Sequence, residues 1–127
     1  MSDETTRGIR VRVESEYLPE ESEPAAGRYL FTYRVRVGNG GPEAARLVAR
    51  RWRITDGHGR VRVVEGPGVV GEQPRIAPGE EFEYRSFCPL PTACGTMEGA
   101  YRMVTDDDEE FEAAIAPFFL VAPEGVN

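Results

Sequence analysis

With 127 residues, 40% of them hydrophobic, the chain has the size of one domain and enough apolar side chains to fill one continuous core. Acidic residues outnumber basic ones 22 to 15, and the formal net charge of −7 disfavours nucleic acid as a partner, because a phosphate backbone would meet repulsion from the average surface. All fifteen basic residues are Arg, which excludes a Schiff-base lysine, a P-loop lysine or a lysine general base.

Two cysteines, Cys88 and Cys94, cannot build a disulfide framework, so reduced thiols are expected. Their separation by five residues, two of them proline, also fits neither a C-x-x-C redox pair nor a zinc site. The first ten residues contain no apolar h-region, and no apolar run approaches the roughly 20 residues that span a bilayer. A cytoplasmic chain with no membrane association is the expectation.

Ile9, Val11 and Val13 alternate with Arg10, Arg12 and Glu14, the period of two that places apolar side chains on one face of a strand. A Pro/Glu/Ser-rich stretch over residues 19–27 interrupts the pattern. Phe31, Tyr33, Val35 and Val37 then repeat it, until Gly38-Asn39-Gly40-Gly41-Pro42 forces a turn. Residues 47–55 form a third strand, with Val48, Arg50, Trp52 and Ile54 on one parity, and Asp56-Gly57-His58-Gly59 turns it into a fourth over 60–65. Residues 66–79, rich in Gly and Pro, read as loop with a short extended piece. Phe82, Tyr84 and Ser86 mark the next strand, ending at Cys88-Pro89-Leu90-Pro91. Residues 95–105 and 111–121 form the last two, joined by an acidic turn over 106–110. No window shows a helical stripe. Seven or eight short antiparallel strands with Gly/Pro turns predict an all-β, two-sheet sandwich of the immunoglobulin or fibronectin type III kind, with Trp52 as its core plug and no cysteine pair.

Gly66-Pro67-Gly68-Val69-Val70-Gly71 has the spacing G-x-G-x-x-G. A dinucleotide fingerprint leads from strand into helix, whereas this run leads into Glu72-Gln73-Pro74, and Pro67 removes one amide from any cradle. A nest of amides from Gly66, Gly68, Val69, Val70 and Gly71, with Arg75 beside it, is the candidate site for a small anion, pyrophosphate or nucleotide. Plain turn geometry is the competing account, and the Glu72 carboxylate favours it. The pairs Arg10/Arg12, Arg34/Arg36, Arg51/Arg53 and Arg60/Arg62 each project from one strand face and read as solvent-facing charge ladders, with Glu81 and Glu83 opposite Arg34 and Arg36. The carboxylates of 106–110 lack the spacing of a cation loop. His58, the sole histidine, sits in a hairpin turn with no partner at catalytic or metal spacing. No metal, cofactor or catalytic residue is assigned.

Several segments in order resemble the ApaG family: Arg51-Trp52-Arg53-Ile54-Thr55-Asp56, the run from Gly66 through Gly71 to Glu72-Gln73-Pro74, Ile76-Ala77-Pro78-Gly79-Glu80, Cys88-Pro89-Leu90-Pro91-Thr92 and Gly95-Thr96-Met97-Glu98-Gly99-Ala100-Tyr101. Arg51 stands where many relatives show His, and Cys94 where Pro or Ser is more usual. The resemblance implies a single ApaG domain over 1–127, with tails at 1–6 and 122–127, and an immunoglobulin- or fibronectin-like sandwich. Members stand alone in bacteria and are appended to an F-box protein and a polymerase-δ-interacting protein in eukaryotes. By that analogy the expected function is a non-catalytic protein-interaction module with an unidentified protein partner; the alternative is the anion or nucleotide binder at 66–71.

Overall fold

The computed structural model describes residues 1–123, and the alternating patterns become strands throughout it. In chain order these are β1 (Ser2–Thr6), β2 (Ile9–Tyr17), β3 (Tyr29–Asn39), β4 (Ala45–Asp56), β5 (Val61–Pro67), β6 (Arg75–Ile76), β7 (Glu81–Leu90), β8 (Cys94–Thr105) and β9 (Glu110–Val121). Between β2 and β3 the Pro-rich stretch makes two single 3-10 turns, Pro19–Glu21 and Pro24–Ala26. One sheet has the order β1-β2-β3-β7, the other β5-β4-β8-β9 with β6 also on β4, and every pairing is antiparallel. The expected all-β two-sheet sandwich is therefore the fold.

The inward faces meet as the period-two pattern requires. Val11, Val13, Phe31, Tyr33, Val35 and Val37 from one sheet are buried against Leu47, Trp52, Ile54, Met97, Tyr101, Ile115 and Phe118 from the other. Trp52 is 2% exposed and sits among three aromatic rings, Tyr33 of the opposite sheet and Tyr101 and Phe118 of its own, at centroid distances of 5.3, 6.3 and 5.9 Å.

Three features depart from the sequence reading. Residues 2–6, expected as a tail, form β1, whose Asp3 side chain receives the Arg10 guanidinium across the pair. These residues carry no apolar alternation, so only the pairing with β2 reveals the strand. Of the expected tail at 122–127, Ala122 is fully buried, and 124–127 lie outside the described residues.

The second departure is in β4. The register shifts between Leu47 and Ala49, making Val48 an extra residue that inverts the facing of the strand. Ala45 and Leu47 point inward before it and Trp52 and Ile54 after it, while Val48 itself is only half-buried. The expectation that Val48 shares a face with Trp52 fails for this reason. Third, β7 continues through Pro89 to Leu90, which its edge position permits because a proline there need not donate to a ladder.

Outer-face arginines are largely paired. Arg36 reaches Glu83 at 3.5 Å and Glu14 at 3.8 Å, Arg34 reaches Glu14 at 3.2 Å, and Arg12 reaches Glu81 at 2.8 Å. On β7, Arg34 stands opposite Arg85 rather than a glutamate, so the expected Glu81/Glu83 ladder holds at Arg36 and not at Arg34, whose glutamate is Glu14 of β2. Each such exposed pair contributes about 0.2–1 kcal/mol. In the acidic turn, Asp106 takes Arg75 through two bonds of 3.0 and 2.6 Å, and Glu109 takes Arg7 at 3.4 Å.

Candidate functional site

The 66–71 loop is a two-residue hairpin. Val69 and Glu72 exchange both backbone bonds at 2.8 Å, leaving Val70 (φ +43°) and Gly71 (φ +80°) as its central residues. Positive φ at both positions is the type I′ pattern, for which Asn-Gly is the favoured pair and a β-branched residue is strained. Val70→Asn is therefore expected to raise stability by about 1 kcal/mol, read as a higher urea midpoint with unchanged slope. The Gly68 amide donates to Val48 O at 2.8 Å, the Val69 amide to Glu72 O, and the Arg75 guanidinium lies on Asp106. Of the proposed anion nest, then, the Gly68 and Val69 amides and the one cation are already engaged, and the Gly66 amide faces the β4 ladder. Gly66 belongs to β5, opposite Arg50.

The more open region is the flank where the edge strands β5 and β7 lie. On the far side of the sandwich, β9 is closed by its neighbours in the other sheet: the Ala114 amide donates to Thr6 Oγ1 at 3.2 Å, and Phe119 O accepts from Ser15 Oγ at 2.8 Å. Among the described residues no such cover runs along β5. The Asp56 amide donates to Arg60 O at 3.0 Å and the Gly68 amide to Val48 O, so Asp56/Arg60 and Val48/Gly68 are hydrogen-bonded pairs. By alternation along the ladder, Val61, Val63 and Glu65 direct their N–H and C=O groups away from β4. The next outward carbonyl, Pro67 O, accepts from Arg50 Nη1 at 3.0 Å. On β7 the corresponding outward carbonyl of Pro89 accepts from Arg62 Nη2 at 3.3 Å.

The side chains on these edges differ. The exposed residues of β7 are Glu81, Glu83 and Arg85, the charged kind that blunts an edge against pairing, followed by Phe87 and Pro89. On β5 they include Val61 and Val63, 47% and 56% exposed, beside Glu65. Periodicity placed the residues of β5 but not its edge position.

Two hollows adjoin β5. One, about 590 Å³, lies on the outer face and includes Arg50, Arg51, Arg102, Glu65 and Glu112. Its arginines are answered: Arg51 is 3.0 Å from Glu112, Arg102 is 3.7 Å from Glu110, and Arg50 is held by Pro67 and Gly68 carbonyls. The other, about 450 Å³, lies at the β4–β5 turn, with Ile54, Leu90 and Pro91 in its wall and Arg28, Arg60 and Arg62 around it.

Nucleophilic and titratable groups near the flank are poorly suited to chemistry. Burial pushes the Cys88 thiol up, against the opposing influence of Arg62, so it is held as the unreactive thiol. Burial also raises the phenols of Tyr84 and Tyr101, which bond each other inside the sandwich. His58 is an exposed turn residue whose amide donates to Asp56 Oδ1 at 2.8 Å, and both cysteines are free thiols. Among the described residues, no three His, Cys, Asp or Glu side chains gather as metal ligands would, and no helix is long and apolar enough to cross a membrane.

The ApaG domain model matches residues 19–105. Protein ApaG of Anaeromyxobacter dehalogenans is 54% identical over 127 residues, and Protein ApaG of Stenotrophomonas maltophilia 53% identical over 127 residues, each alignment covering 100% of both chains. Among solved structures, the ApaA protein of Bordetella pertussis superposes with a TM-score of 0.88 at 50% identity, over 91% of this chain and 94% of that one. The C-terminal domain of wzt, with a TM-score of 0.57 and 9% identity over 94% of this chain and 76% of that one, shares the fold alone. Identity of this order along the whole length, on a matching backbone, means that the chain belongs to the ApaG family.

Proposed function

We propose that the chain is a non-catalytic interaction module of the cytoplasm that takes an extended segment of a partner protein onto the free edge of β5. The observation that carries this reading is the outward N–H and C=O row of Val61, Val63 and Glu65 beside two exposed valines, while β9 is bonded to Thr6 and Ser15 and the outward groups of β7 lie among Glu81, Glu83 and Arg85. Strand addition uses such a row for affinity and alternate side chains for selectivity. A site for catalysis would need a nucleophile beside a base, or a metal cluster, and the thiol and phenols at this flank are held neutral by burial.

The test is a peptide-display selection on the folded chain, followed by fluorescence-anisotropy titration of the selected peptides. Because the Val63 amide points away from β4, Val63→Pro removes an outward donor without breaking the β4 ladder. Its expected effect is at least a roughly tenfold loss of peptide affinity, about 1.4 kcal/mol, with a nearly unchanged melting temperature. Peptides that bind Val63→Pro as well as the parent chain would refute the edge reading. Saturable ¹H–¹⁵N shifts confined to residues 66–71 on addition of pyrophosphate or ATP would turn the assignment to the anion reading.

A further inference from the structure

We infer that the hollow at the β4–β5 turn is the selectivity pocket of this edge, and that it takes an acidic segment carrying one apolar anchor side chain. The inference rests on the edge-pairing reading and names the chemistry of the partner.

The hollow is assembled from residues far apart in the chain: Arg28 ahead of β3, Ile54 near the end of β4, Arg60 and Arg62 around the start of β5, and Leu90 and Pro91 at the end of β7. Ile54 and Leu90, both nearly buried, make its floor apolar. At about 450 Å³ it is an open site of the size that holds a side chain and its flanking backbone.

Its charge is opposite to that of the whole chain. On a protein of net charge −7, three guanidinium groups surround this floor. Arg28 shares Glu23, but among the described residues neither Arg60 nor Arg62 has a carboxylate within ion-pair distance. Arg62 donates to Pro89 O and the Cys88 sulfur. The one acid in the wall, Asp56, turns Oδ1 to the amides of His58 and Arg60 at 2.8 and 3.0 Å. A neutral occupant would desolvate these cations without replacing their hydration, whereas carboxylates would supply charge-assisted bonds in fork geometry. The larger hollow, whose arginines are already matched by Glu112, Glu110 and backbone carbonyls, offers no such surplus.

Position links the pocket to the edge. Val61 belongs to both, so a strand laid along Val61, Val63 and Glu65 has one end over the hollow. At about 3.3 Å per residue, roughly five residues cover the edge before the chain reaches the arginines. An acidic cluster with a leucine or phenylalanine at one end of a β-prone run is the sequence this arrangement selects.

The probe is a fluorescein-labelled octapeptide, Glu-Glu-Leu-Glu-Val-Thr-Val-Thr, set against the same peptide with Gln for Glu, both titrated by anisotropy at low salt. The acidic peptide is expected to bind at least about tenfold more tightly, with an advantage that shrinks as salt is added. Arg60→Glu, an exposed change touching no internal bond of that guanidinium, is expected to erase the preference, with Arg28→Glu as the second variant. Val63→Pro should weaken both peptides alike. If Val63→Pro weakens both peptides but Arg60→Glu and Arg28→Glu leave their ratio unchanged, the pocket inference fails and the edge reading survives. If the arginine variants erase the preference while Val63→Pro has no effect, the acidic pocket stands and the edge reading fails. Absence of binding by either peptide, or a dimer by sedimentation whose dissociation by Val63→Pro shows a second copy on β5, overturns the acidic-peptide inference.

Discussion

Trp52→Ala is expected to lower stability by about 3–5 kcal/mol, a large share of what a domain of this size possesses. The indole contacts aromatic rings of both sheets, edge-on to Tyr33 across the core and to Tyr101 and Phe118 within its own sheet. Emptying that position forfeits the transfer free energy of the largest side chain and leaves a cavity whose walls are held by two hydrogen-bonded sheets, so little collapse can offset it. Trp52→Phe should cost roughly half as much or less. It keeps most of the packing and removes an indole N–H that is buried and has no hydrogen-bond partner among the described residues. Since Trp52 is the sole tryptophan, its own fluorescence disappears in both variants, and unfolding must be followed by circular dichroism or calorimetry. An alanine variant whose urea midpoint falls no further than that of Val63→Ala, at an exposed position, would remove Trp52 from the centre of the core.

The reasons this residue was legible in the sequence, and others were not, are physical. Trp52 and Ile54 lie in a stretch of β4 with undisturbed alternation, and alternation is a local signal. Val48 is an added residue with neither Gly nor Pro to mark it, so the parity argument runs straight through the bulge and assigns the wrong face. Ser2, Asp3, Glu4, Thr5 and Thr6 hold no apolar side chain to alternate, and their strand exists only because β2 offers a ladder. β6 is two residues long and shows only as a short extended piece within a Gly/Pro-rich loop.

The candidate site was less legible than the fold because it depends on topology. Arg60 and Arg62 look like one pair on one strand face, yet Arg60 precedes β5, and Arg62 reaches across to Pro89, which belongs to the other sheet. Whether a strand is central or at an edge, and whether a charge is answered by a neighbour from a distant segment, are long-range properties. Local period and spacing carry no record of them.

The glycine spacing over 66–71 illustrates the same limit from the other side, and Gly68→Ala separates its two meanings. The variant is expected to lose about 3 kcal/mol of stability, because Gly68 combines a φ of +56° with a neighbour that leaves no room for a side chain. A Cβ at this position would lie 2.1 Å from the Glu72 carbonyl oxygen, a backbone atom held by its bond from the Val69 amide. Relief would require opening the hairpin that covers fully buried Val69, and the Gly68 bond to the bulge carbonyl of Val48 would go with it. Gly71→Ala is the internal control. Its φ of +80° carries the ordinary left-handed penalty of about 1 kcal/mol, but nothing lies within 4 Å of its Cβ position. A difference of about 2 kcal/mol between the two, measured as urea midpoints, is the result that makes these glycines structural. Equal and small losses, with pyrophosphate shifts in the parent spectrum that vanish in Gly68→Ala, would instead make the loop a binding element. In the former case any ligand effect of Gly68→Ala reflects a damaged hairpin, and the search for a partner belongs at the β5 edge.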